Sequence, residues 1–152
     1  MLRAFTIIAF ITLITSRANA RLWETVSQTE ARYGKSLQKF PGDAPGEEQR
    51  KYRYNEFYVL VTFLHGHSDN EFYFHTDGKT PFSDKDIQFF LRLTSGGQPW
   101  QKSKEVLIWT LGGSTVDSWR AIAAYYPKGK YASVPGFGIS TMTRAKREMK
   151  TQ

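Results

Sequence analysis

Apolar and polar positions follow three different rhythms along this 152-residue chain. Residues 4–15 form an uncharged, mostly apolar run that ends against Arg17. After it, Leu22, Val26, Thr29 or Glu30, and Tyr33 recur at helical spacing, and Gly34 follows where a left-handed residue closes a helix. Residues 40–46 hold two prolines and two glycines and predict a loop. From Lys51 the period drops to two. Tyr52 and Tyr54, then residues 57–64, then residues 71–75, broken at Asn55-Glu56 and between Gly66 and Asn70, predict an antiparallel meander with a short leading strand. Phe57, Val59, Val61 and Phe63 share one face of the middle strand; Tyr58, Leu60 and Leu64 share the other. Apolar residues on both faces call for cover on each side or an interface, so a homo-oligomer is one expectation.

A second helix announces itself at Ser83-Asp84-Lys85-Asp86, where Ser83 can cap the first amides and the carboxylates favour the positive helix end. Phe82 and Ile87 are spaced for a hydrophobic staple. The buried stripe would be Ile87, Phe90, Leu91 and Thr94, and Gly96-Gly97 ends the helix. Residues 105–111, 118–126 and 130–134 then read as strands. The expected fold is α+β: two helices packed on an antiparallel β-meander sheet, in the order α-βββ-α-βββ. The two helix-plus-three-strand halves share no convincing residue pattern.

The opening segment has the order of a secretory signal: early Arg3, a short apolar run, and the small-residue end Ala18-Asn19-Ala20. Cleavage is expected after Ala20, leaving residues 21–143 as a single α+β domain and residues 144–152 as a basic C-terminal tail. Twelve apolar-run residues are too few to span a hydrocarbon core about 30 Å thick, and no later stretch is long enough, so no transmembrane anchor is expected in the mature chain. Loss of Arg3 and Arg17 lowers the formal net charge of +7 to about +5. The chain has no cysteine, so an exported domain must hold together by its core, in the periplasm or outside the cell. Export also argues against a nucleic-acid partner.

For chemistry, the cluster His65-Gly66-His67-Ser68-Asp69, with His75 further on, is the one to weigh. Alternate histidines on an extended segment face one way, so His65, His67 and either Asp69 or His75 could hold a metal with an open position. The run is similar to the H-x-H-x-D-H start of the metallo-β-lactamase fold, with Asn70 where the last histidine belongs. The plainer reading is a polar hairpin turn with Gly66 at its bend and Asp69-Asn70 as turn formers. Asp84 with Asp86, and Glu47 with Glu48, read as a helix start and a solvated loop. There is no G-x-S-x-G elbow around Ser114 and no glycine-rich phosphate loop. Tyr52, Tyr54, Tyr125, Tyr126 and Tyr131 are candidates to anchor a partner if they project outward.

Residues 23–26 (Trp-Glu-Thr-Val), the helix end Glu30-Ala31-Arg32-Tyr33-Gly34-Lys35, the strand from Val59 to Gly66, the second helix and Trp100 together resemble a group of small exported bacterial proteins of unknown function. That resemblance implies an exported single domain and carries no chemistry. The helix-and-meander layout is also similar to that of outer-membrane assembly lipoproteins and β-lactamase inhibitory proteins, without the acylated cysteine of the former. The expectation is an exported module that binds a protein or carbohydrate partner in the cell envelope, without catalytic residues or cofactor. The alternative is a small metal-dependent hydrolase using His65, His67 and His75.

Overall fold

The computed structural model describes residues 22–150 apart from 105–106, 114, 116–118 and 128–132. The expected signal segment and Tyr131 therefore lie outside the described residues. Along the chain run α1 (Val26–Tyr33), β1 (Gln38–Pro41), β2 (Glu47–Tyr54), β3 (Phe57–Leu64), β4 (His67–His75), α2 (Asp84–Thr94), β5 (Gln101–Lys102), β6 (Ile108–Gly112), β7 (Trp119–Tyr126), β8 (Gly136–Thr141) and α3 (Met142–Met149). All strands pair antiparallel in one sheet ordered β1-β2-β3-β4-β8-β7-β6-β5. Each of α1 and α2 leads into four strands. The two meanders meet at the β4–β8 pair, so the sheet reads as the same half from either edge.

Local chemistry explains the first two helices. Thr25 caps α1 in a reciprocal box with Gln28, and Gly34, at φ 83°, closes it by donating its N–H to the Glu30 carbonyl. Ser83 and Asp86 form the equivalent box on α2, whose Ile87, Phe90, Leu91 and Thr94 are all buried. Both helices lie on one face of the sheet, where Phe90 meets Tyr73 at 4.0 Å and Phe57 at 5.0 Å between ring centroids. Phe57, Val59, Val61 and Phe63, one of the two apolar faces of β3, are buried there.

The α+β class holds, but the expectation of two helices in the order α-βββ-α-βββ does not. A third helix, α3, forms in the basic stretch read as a tail. Its anchoring is ionic and long-range, so no hydrophobic period marks it. A strand also forms at residues 38–41, before the loop, and pairs with β2. At the far end of the chain, residues 130–132 of the strand expected at 130–134 lie outside the described residues, while a strand not expected from the sequence forms at Gly136–Thr141. Gly136 and Gly138 hide it from β-propensity. Finally, β4 starts at His67 because the hairpin turn is only His65-Gly66, at φ 50° and 83°, a pair of left-handed residues typical of a two-residue hairpin. Asp69 and Asn70 are therefore strand residues, Asp69 standing in the register shift between β3 and β4.

Candidate functional site

The sheet face turned away from α1 and α2 carries a row of aromatic rings. Tyr58 on β3 is opposite Phe74 on β4, and Phe72 on β4 is opposite Gly138 on β8, which in turn pairs with Ala124 on β7. Ring centroids are 5.6 Å apart for Tyr58–Phe74, 6.0 Å for Phe74–Phe72 and 6.0 Å for Phe72–Tyr126. The row thus crosses three strand spacings of about 4.8 Å each. It closes over β8 because that strand has no side chains in the way. A Cβ on Gly136 would lie 2.2 Å from the Phe72 ring, and one on Gly138 would lie 3.0 Å from Tyr126.

All four rings are half-buried. At the β2 end of the row the Lys51 ammonium lies 3.7 Å from the Tyr58 ring centroid and 5.9 Å from that of Phe74, a cation–π contact. At the other end, burial raises the Tyr126 phenol above its ordinary value, with the negative charge of Glu148 adding to the effect. Of the candidate tyrosines among the described residues, Tyr126 alone joins the row. Tyr52 is fully buried, while Tyr54 and Tyr125 pack against the core under the helices. Tyr58 belongs to the β3 face that the sequence offers for cover or an interface; Phe72 and Phe74 are not among its candidate binding residues. The signal for them was the strict alternation of β3 and β4.

The opposite end of this face is strapped by α3. Glu47 pairs with Leu64 in register, and its carboxylate, 2% exposed, accepts from Arg147 at 2.6 Å and lies 3.5 Å from Arg144. Arg147 also reaches the fully buried carboxylate of Asp69 at 3.0 Å, whose other oxygen accepts from Thr141. On the helix-covered face, a second ionic cluster ties α1 to β4. The fully buried Glu71 carboxylate accepts from Arg32 at 2.6 Å, from Tyr33 at 2.9 Å and from Tyr73. Arg32 also bonds Glu24 at 2.6 Å. Burial works against the Arg32 charge, but Glu71 and the neighbouring groups more than offset it, leaving its pKa above the ordinary guanidinium value. Burial and then Glu71 push the Tyr33 and Tyr73 phenols well above theirs. Both clusters hold elements together by pairing buried charge.

The structure separates the residues of the alternative metal reading. His65 sits in the hairpin turn with its ring against Gly46; His67 stacks on Trp23 at 5.4 Å between ring centroids. His75 stands at the far end of β4, roughly 25 Å from His67 at about 3.3 Å per residue. It packs between Phe57 and Phe82, 3.8 Å from Asp86. Asp69 is committed to Thr141 and Arg147. Among the described residues no three His, Asp or Glu side chains come together as metal ligands. His65 and His67 do not share an extended segment: the turn falls at His65-Gly66, so the alternation that would aim both rings one way does not apply to them.

No protein-family model matches the chain. No curated protein matches it either. Among solved structures it is similar to a cysteine-rich secretory protein from Staphylococcus aureus, with a TM-score of 0.46 and 10% identity. The match covers 82% of this chain and 46% of that one, so the chain spans about half the length of the structure it matches. Among the described residues no helix is long and apolar enough to cross a membrane.

Proposed function

We propose that this protein is a non-catalytic binding module exported to the bacterial cell envelope, and that a protein partner docks on the row Tyr58, Phe74, Phe72 and Tyr126. One observation carries the reading: four rings in contact on a sheet face that α1 and α2 leave uncovered. Rigid aromatic side chains offer large contact area at small entropic cost, which is why they dominate the energetics of protein interfaces. Lys51 over Tyr58 and the exposed Arg53 beside it favour a partner that carries a carboxylate next to its apolar contact residues.

The test uses the processed chain as bait in extracts of its own envelope. Wild-type protein is expected to retain a defined partner that the Tyr58→Ala/Phe74→Ala variant loses, with circular dichroism showing the variant folded. An unchanged set of bound proteins would sink the proposal. Light scattering covers the competing occupant: concentration-dependent dimers abolished by the same two substitutions would assign the row to a second copy. Export is checked separately by N-terminal sequencing, which is expected to read from Arg21; a chain beginning at Met1 outside the cytoplasm contradicts the cleaved signal.

A further inference from the structure

A groove lies on the helix-covered side of the sheet, away from the aromatic row, where the last turn of α2 meets β5 and β6. Its volume is about 290 Å³, and Gln88, Arg92, Gln98, Trp100, Lys102 and Trp109 are among the residues lining it. That volume is at the small end for ligand sites and suits a single ring-sized molecule rather than a long chain. We infer that this groove binds a carboxylate-bearing sugar unit.

The charge is the first reason. Arg92 and Lys102 line the groove, and among the described residues no carboxylate does. Arg92 is also the one arginine among the described residues whose side chain has no hydrogen bond or ion pair. Arg32, Arg50, Arg53, Arg120, Arg144 and Arg147 each have a partner. A guanidinium fork left open at the mouth of a cavity matches the two oxygens of a carboxylate. Phosphate would match the fork too, but the groove sits at the C-terminal end of α2, the negative end of the helix dipole. That field opposes a doubly charged ligand more than a singly charged one.

The walls supply the second reason. The Trp100 indole N–H donates to the Leu91 carbonyl at 2.8 Å, which fixes the half-buried ring in place. Trp109 is held edge-on against Phe137 at 5.7 Å, with the Lys102 ammonium 5.6 Å from its own ring centroid. A pinned indole gives a flat surface for the C–H face of a pyranose at little entropic cost. Gln88 lies one turn before Arg92 on α2, on the same side, and Gln98 stands in the turn that follows, where its carbonyl accepts from Arg120. Their amides can both donate to and accept from sugar hydroxyls. Trp109 is only 4% exposed, so the accessible groups are the Trp100 face, Arg92, Lys102 and the two amides, and a ligand that uses them is flat, polyhydroxylated and singly anionic.

The experiment is an NMR titration of the intact protein, following the Trp100 indole N–H, with sodium D-glucuronate as probe. D-glucose, sodium acetate and glucose 6-phosphate serve as matched comparisons. Glucuronate is expected to shift that signal saturably in the millimolar range, more tightly than glucose or acetate. Arg92→Gln, on an exposed helix position, should weaken glucuronate about tenfold while leaving glucose binding unchanged. Equal binding of glucose and glucuronate would overturn the carboxylate assignment, as would tighter binding of glucose 6-phosphate. No saturable shift of Trp100 with any of the four would overturn the site. Because the aromatic row is on the opposite face, the Tyr58→Ala/Phe74→Ala variant should bind glucuronate as wild type does, so the two readings succeed or fail independently.

Discussion

Glu71 shows how much a single buried residue decides. Its carboxylate is fully buried and shared by Arg32, Tyr33 and Tyr73, which joins α1 to the middle of the sheet. Removing it leaves the Arg32 charge without its most buried partner, so Glu71→Ala should cost about 3–5 kcal/mol in urea unfolding. The phenols of the same cluster make stability depend on alkaline pH. Because Tyr33 and Tyr73 ionise well above the ordinary value of 10 when folded, the unfolded chain sheds their protons first. Their contribution is full below about pH 10 and falls as pH rises beyond it. Tyr52, pushed up to about 12 mainly by burial, acts in the same direction. An alkaline titration followed by tyrosinate absorbance should therefore show these phenols ionising together with loss of the circular dichroism signal. Smooth ionisation in a still-folded protein would contradict the cluster. Asp77 behaves oppositely: bonds from Thr80 and from the amides of Lys79 and Thr80 hold its carboxyl down at about 2. Its support for the turn after β4 is present above about pH 4 and is lost as pH falls through about 2, which carboxyl NMR can follow.

Among the elements, α3 and β8 act as a pair. β8 ends at Thr141, which caps α3 by accepting from the Arg144 amide while its hydroxyl donates to Asp69. The helix buries little beyond Met142, so its attachment rests on Arg144 and Arg147 meeting Glu47 and Asp69. Arg147 is itself one-third exposed, so Arg147→Ala should cost about 2 kcal/mol, below the value for a fully buried pair. On β8, Gly136→Ala would force the Phe72 ring aside, since the new Cβ would overlap it at 2.2 Å. A destabilisation of about 1–3 kcal/mol is expected, together with a break in the aromatic row.

For the molecule as a whole, the sheet is open and has two edges to protect. β1 ends at Pro41 and carries Lys39; β5 is two residues long and includes Lys102. Short, charged or proline-ended strands discourage edge-to-edge pairing, which leaves the uncovered face rather than the edges for contact with other molecules. Histidine placement sets a whole-molecule expectation as well. With His65 and His67 at one end of β4 and His75 at the other, elemental analysis of untagged protein should find no stoichiometric zinc. Zinc that disappears in His67→Ala would contradict this and restore the hydrolase reading.

Helices α1 and α2 were legible in the sequence because their determinants are local: Ser83 with Asp86, Gly34, and stripes such as Ile87, Phe90, Leu91 and Thr94 are set within a few residues of one another. The antiparallel α+β character was legible for the same reason, through the alternation of β3 and its neighbours. The third helix was not, because Arg147 finds Glu47 and Asp69 only after the sheet has brought residues 100 and 78 positions away to its side. β8 was hidden too, since the value of Gly136 and Gly138 lies in the space they leave for Phe72 and Tyr126. By itself the sequence determined the class of fold, which residues of β3 share a face, the glycine that closes α1 and the cap that starts α2. Tertiary structure alone decided which face stays uncovered, that four rings line up on it, and that the three histidines part company, because each depends on strand neighbours remote in the chain.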